Sequence, residues 1–263
     1  MQAGRPSKNT NQTPTTLFSF LSFTTPMTTD KNPSTSSMLA SAFPLMKNVV
    51  LLATLAVLAS GCVTVNKQPL AASNIPAFKD QSMAPTTRDK PNFVAMTAGK
   101  AAFALLGTFA MISEGNQIVE KNQVSDPADS IASALTSTLS ERYGAHAVSA
   151  PIAVNSEDTG QISASAKDRA RYIVDVQTVG WGFGYFPTDW THYRVFYNAK
   201  ARLIDAQNKS LIAEGFCKRF PTESEGAPTY DELMANEATL LKAKLSTAMT
   251  ECVATLQAEM FPQ

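Results

Sequence analysis

The residues best able to do chemistry are few. The 263-residue chain holds three cysteines, Cys62, Cys217 and Cys252, and two histidines, His146 and His192. A thiolate is a nucleophile, a metal ligand or half of a disulfide, and an imidazole is a general base or a metal ligand. Five such residues spread over the chain do not supply the clustered ligands of a structural zinc site, so neither metal nor cofactor is expected. They are not accompanied by a Gly-x-Ser-x-Gly elbow, a phosphate-cradling loop ending in Gly-Lys-Ser/Thr, or a His-Glu-x-x-His pair. His146 follows a helix stop and His192 begins a strand, each without a nearby motif, as surface or packing histidines usually are. Glu223, Glu225, Asp231 and Glu232 cluster, but without the alternating oxygen-ligand spacing of a calcium loop. A solvated loop followed by a negative helix N-terminus explains them. No catalytic residue is expected, and the chain reads as non-enzymatic.

Recognition is the other chemistry open to it. Gly180-Trp181-Gly182-Phe183-Gly184-Tyr185-Phe186-Pro187-Thr188-Asp189-Trp190 holds both tryptophans and three glycines. A strand follows rather than a helix, so the alternating glycines are no dinucleotide fingerprint. Two readings stand side by side. In one, Trp181, Phe183, Tyr185, Phe186 and Trp190 belong to a loop that contacts a partner or ligand. In the other, the loop folds back and its aromatics cover a sheet edge.

Composition narrows the classes. With 22 Lys+Arg against 22 Asp+Glu and only 17% charged residues, a nucleic-acid binder built on a basic face is not expected. The apolar runs are too short or too interrupted for a polytopic membrane protein. Residues 1–45 are rich in Ser, Thr, Pro and Asn and cannot bury enough apolar surface to form a fold.

A different pattern begins at Met46. Met46-Lys47 is a short basic region, Val49 to Leu58 is apolar, and Ala59-Ser60-Gly61 are small residues before Cys62. This is the layout of a secretory signal, with a core too short for a permanent membrane helix. Leu58-Ala59-Ser60-Gly61-Cys62 resembles the lipobox of bacterial lipoproteins, with the commonest Leu displaced one place upstream and Ala59 in its usual slot. The resemblance implies cleavage before Cys62, a diacylglyceryl group on its sulfur and an acylated amine. Residues 46–61 are then the signal peptide, Met46 is the expected start with Met38 as the alternative, and 1–45 are an extension or disordered. Each buried methylene contributes roughly 0.8 kcal/mol, so two or more acyl chains attach stably. The resemblance also implies the outer membrane, facing the periplasm, because Val63 stands where an Asp would favour inner-membrane retention.

In that oxidising compartment only Cys217 and Cys252 remain as thiols. Both fall on apolar faces, one of a strand and one of a helix, so a disulfide between them is expected. It would close a loop of about 35 residues and contribute roughly 4 kcal/mol. Two unconnected buried thiols are the alternative, since spacing alone does not show whether the backbones approach.

The elements that position these residues follow from periodicity. Residues 62–92, with Pro69, Pro76, Pro85 and Pro91, read as the lipidated Cys and a flexible tether of about 30 Å mean span. Residues 93–263 read as the folded periplasmic domain. Phe93 to Ile112 carries Lys100 as its single charge and reads as a buried helix stopped at Ser113-Glu114-Gly115-Asn116, or else as a membrane-associated one. Ile131, Leu135 and Leu139 mark a helix stopped by Gly144. A short strand is expected in 147–154 and a polar loop over 155–167. Strands follow at 171–179, 191–205 and 210–220, the last two as a hairpin in which Leu211, Ala213, Gly215 and Cys217 share one side. Thr229 and Glu232 have capping-box spacing at the head of a long final helix.

The expected fold is α+β, a small antiparallel sheet of three to four strands with helices packed on one face and a long C-terminal helix. Its element order loosely resembles small periplasmic lipoproteins that serve as accessories to envelope machines. The resemblance implies an envelope protein partner; the alternative is carriage of a lipid or small apolar ligand in a cavity lined by 93–112 and the aromatic segment.

Overall fold

The fold is a computed structural model that describes residues 66–101 and 104–261. The extension 1–45, the signal segment 46–61 and Cys62 lie outside the described residues. A long hairpin forms its spine. β5 (Tyr172–Phe186) and β6 (Asp189–Asp205) pair antiparallel from Tyr172↔Asp205 up to Phe186↔Asp189, turning over Pro187 and Thr188. β7 (Ser210–Arg219) returns antiparallel to β6.

The other side of β5 corrects the expected fold class. β1 (Ser82–Thr87) and β2 (Phe93–Met96) pair with it in parallel, through Met83↔Tyr172 and Phe93↔Trp181. The short β3 (His146–Ala147) and β4 (Ile152–Ala153) pair in parallel with β1. The sheet therefore has seven strands and mixed direction, in the order β3-β1-β5-β6-β7. It is not a small antiparallel sheet of three or four.

The tether reading of 62–92 is corrected with it, because β1 lies inside the sheet. Its Pro85 looks like a strand breaker, yet it falls between the pairs to β3 and to β4. There the missing N–H leaves no ladder bond unmade. Gln68 bridges Glu214 on the outer edge of β7, so only the residues before it remain upstream of the folded domain.

Helices cover both faces of the sheet, unequally. The segment expected as one helix from Phe93 is instead β2, then α1 (Ala98–Ala101) and α2 (Ala104–Lys121). The helix runs on through the expected stop, because Gly115 lies against β2. A Cβ there would sit 1.9 Å from the Phe93 carbonyl oxygen. No described helix is long and apolar enough to cross a membrane. α3 (Ala128–Tyr143) buries Ile131, Leu135 and Leu139 and ends on Gly144 at φ 70°. α5 (Tyr230–Met260) opens on the Thr229–Glu232 capping box and buries Leu233, Leu241, Leu245, Cys252, Leu256 and Met260. It is two helical pieces rather than one, joined where Asn236, Glu237 and Ala238 take left-handed φ of 51°, 58° and 57°.

These helices share one core with the front of the sheet, where Val174, Trp181, Tyr197 and Leu203 are buried. The back carries a smaller core and a helix where a polar loop was expected. α4 (Thr159–Ala166), capped by Asp158 on the Gln161 N–H, packs Ile162 and Ala166 with Ile173 and Ile204. Helices on one face only is thus also corrected. A bulge at Ile212 turns Leu211 to this back core, away from Ala213 and Cys217.

Candidate functional site

The glycine- and tryptophan-rich segment is strand rather than loop. Its alternation sends Trp181 and Phe183 to the front core, both fully buried. Phe93 meets Trp181 edge-on at 4.9 Å and Phe183 at 5.9 Å between centroids, and Phe183 meets Tyr193 and Tyr230 at 5.9 Å. The Trp181 indole N–H donates to the Pro91 carbonyl at 3.0 Å. Gly182 answers to a different need. The Phe196 ring, cross-strand from it, lies where a Cβ would be, 2.9 Å from Cζ, with the Val94 carbonyl at 2.2 Å.

Of the five aromatic residues expected at a contact surface, Trp181, Phe183 and Phe186 are buried and Tyr185 is half-buried. The loop reading is corrected for these: as part of a paired strand their side chains alternate into packed layers. Trp190 alone stands out, 64% exposed, its indole N–H on the Pro187 carbonyl and its ring 6.1 Å from Tyr185.

Beside this hairpin end opens a cleft of about 500 Å³ between the ends of β6 and β7, the 221–228 loop and α5. Arg194 is its centre. The guanidinium lies 4.1 Å from the Phe220 ring centroid and 5.3 Å from that of Phe186, and donates to the Pro221 carbonyl at 3.3 Å. Lys218 also lies over Phe220, at 5.7 Å. Lys244 faces them from α5, and Glu223 and Glu225 from the loop. Arg219 is spoken for by Glu251 at 2.8 Å and by the Thr255 hydroxyl. A cation held against ring faces, with no ion pair of its own among the described residues, is a ready partner for an anionic group, and exposed Phe220 offers apolar area beside it. Glu223 and Glu225 are the members of the acidic cluster that reach this cleft. Glu232 is engaged in its capping box, where the Thr229 backbone N–H and hydroxyl hold its carboxyl below the usual range. No group of three metal-ligating side chains occurs among the described residues.

Each histidine lies beside an aspartate, and His192 Nδ1 also lies 3.2 Å from the Thr191 hydroxyl. At the hairpin turn His192 Nδ1 lies 2.6 Å from Asp189 Oδ2, and the Thr191 hydroxyl donates to Asp189 Oδ1 at 2.7 Å. The hydroxyl proton thus points at a carboxylate. Thr191 first, with His192 adding, brings the Asp189 pKa down to about 2. The three residues staple the turn. His146 sits 3.6 Å from Asp80, both exposed.

Two features escaped sequence reasoning. The first is a buried ionic knot on the back of the sheet. Fully buried Asp175 accepts from the Thr86 hydroxyl at 2.9 Å, from Arg88 at 2.8 and 3.1 Å, and from Arg202 at 2.9 and 2.6 Å. The two guanidiniums donate onward to the Ser156 and Glu157 carbonyls, both at 2.8 Å, and so pin the entry to α4. Gln177 and Lys200 hold the Glu157 carboxyl below its usual range. The second is a smaller front-side chain, in which burial pushes the Asp126 carboxyl up although it accepts from Thr178, itself bonded to Tyr197. A charge at mid-strand amid apolar neighbours, as at Asp175 and Arg202, was the available signal for the knot.

Cys217 and Cys252 are joined as a disulfide, with Cα atoms 5.3 Å apart and both side chains fully buried. The bond ties β7 to the middle of α5's longer piece.

No family model matches the chain, and no curated protein matches its sequence. Solved structures of similar outline do exist. A PelC dodecamer from Paraburkholderia phytofirmans is 11% identical with a TM-score of 0.33, over 75% of this chain and 96% of that one. Lipoprotein GNA1162 from Neisseria meningitidis is 11% identical with a TM-score of 0.24, over 66% and 99%. The structures similar to this chain thus include a bacterial lipoprotein. The likeness is too slight to carry an argument about function.

Proposed function

We propose that the protein is a non-enzymatic, lipid-anchored accessory of the bacterial envelope. Acylated Cys62 holds it to the periplasmic face of the outer membrane, and the domain binds an envelope protein through the cleft between Phe220 and Lys244. The observation that carries this reading is the Cys217–Cys252 disulfide. A bond of that kind persists in an oxidising compartment, and it leaves Cys62, behind its apolar run and small residues, as the one cysteine with another use. The cleft supports the second half. An aromatic side chain, unpaired cations and acidic neighbours on an open surface are the makings of a protein contact rather than of a reaction centre.

Labelling cells with radioactive palmitate tests the anchor. The wild-type band should carry label and stay with the membrane fraction. Cys62→Ala should lose the label and leave the membrane. A wild-type band without label overturns the proposal.

A further inference from the structure

Among the described residues the large apolar side chains left exposed are Phe109, Val179, Trp190 and Phe220, and three of them lie toward the hairpin end. Trp190 is next to the β5–β6 turn and Phe220 lies at the end of β7. Phe109, 76% exposed, is on α2, which runs back along β2: Asn116 accepts from the Phe93 N–H, and Lys90 donates to the Val124 carbonyl. Phe109, seven residues or about 10 Å along the helix from Asn116, therefore lies near the level of Met96, which pairs with Gly184. The Tyr193 hydroxyl, bonded to the Ala98 backbone, ties the start of this helical segment to the hairpin.

The direction of the chain leads to the same end. Gln68 pairs antiparallel with Glu214, so residues 66 and 67 run along β7 in the direction of Phe220. Lys67 already follows that course, its ammonium on the Glu259 carboxylate that also faces the Phe216 N–H. Cys62 is six residues before Gln68, a reach of about 20 Å at most. Glu214 to Phe220 is the same six residues, and Phe196 to Trp190 adds about 20 Å more along β6. Acyl chains on Cys62 would keep the bilayer within about 20 Å of Gln68, close enough for the hairpin end to meet it.

We infer that the hairpin end is a second contact with the bilayer, with Trp190 and Phe109 resting in the headgroup region. This inference rests on the acylation proposed above. An amphipathic indole with its N–H already bonded to Pro187 suits the interface, where tryptophan gathers in membrane proteins. The Asp189 charge beside it is tied to Thr191 and His192 rather than left bare.

The chain carries its own probe, since it has two tryptophans and Trp181 is buried. The mature protein would be purified from membranes, its intact mass read for acyl chains, and then placed in vesicles of brominated or plain phosphatidylcholine. The expected result is acyl-bearing protein whose emission is quenched by bromine, with the quenching lost in Trp190→Phe. Acylated protein with unquenched emission overturns the contact and leaves the anchor, making the exposed indole a surface for protein. Protein without acyl chains that is still quenched on vesicles upholds the contact and overturns the anchor. Protein with neither overturns both.

Discussion

The two ends of the sheet are built on opposite terms. At the end near Tyr172 and Asp205 both faces are covered, by α3 and α5 in front and by α4 behind, and a carboxylate between two guanidiniums is sealed in the back layer. At the hairpin end the front is packed with Phe93, Trp181, Phe183 and Tyr230, while the back is left to Phe196, Arg194 and Phe220 without a described helix over them. Both ends use arginine. At the covered end two arginines are bonded to Asp175 and to carbonyls, so they specify the fold. At the open end Arg194 rests on rings and has one backbone acceptor, so its charge remains available. Pairing, more than burial alone, separates the arginines of the two ends.

Breaking the covered end should cost most. Asp175→Ala leaves two guanidiniums unpaired in the interior, and denaturant unfolding should show a loss of about 5 kcal/mol. A loss under 1 kcal/mol would mean that the knot does not hold that end. Next comes the disulfide. Replacing both Cys217 and Cys252 by Ala should cost about 3 to 4 kcal/mol by the same measurement, and reductant should lower the melting temperature of wild type but not of the double variant.

Acid should act on the covered end as well. Glu157 is held below its usual range by Gln177 and Lys200, so the unfolded chain binds its proton more readily. Its stabilisation is complete above the ordinary carboxylate pKa and is lost as pH falls through the lowered one. Asp126, raised by burial, has the opposite sign and favours the folded state while protonated. Stability curves from pH 6 down to 3 should therefore be shallower in Glu157→Gln than in wild type.

The remaining effects are small and sharpen the contrast. Left-handed φ at Glu237 costs an ordinary residue about 1 to 2 kcal/mol, and the greater unfolded-chain entropy of glycine offsets part of it, so Glu237→Gly should raise stability by about 0.5 to 1 kcal/mol in denaturant unfolding. Trp190→Ala at the open end should change stability by less than about 0.5 kcal/mol. A large loss there would make the exposed indole a structural residue after all.

How much could be read beforehand follows the same division. β6, β7, α3 and the run of α5 were legible because each keeps one period over many residues, and the Thr229–Glu232 cap was visible as spacing. β1 and β2 were not. One contains Pro85 and the other is four residues long, and each becomes a strand through its long-range pairing with β5. α4 is short and rich in Ser, Thr and Gly, so its helix comes from the Asp158 cap and from the Ile162 and Ala166 contacts more than from propensity. The glycines at 180–184 suggested a loop, whereas Gly182 marks a close approach of Val94 and Phe196 inside a sheet. Arg194 and Phe220 are 26 residues apart and drew no notice in sequence. Only the β6–β7 register, which brings Phe220 beside Phe196, places one against the other.

The claim that the open end does the work can be tested by placing a photoreactive amino acid at Thr247, on the α5 wall of the cleft, and separately at Lys167 beside α4. Irradiation of intact cells should give a discrete crosslinked protein from position 247, lost when Arg194→Ala is added, and none from position 167. Crosslinks from 167 alone, or from 247 regardless of Arg194, would contradict it.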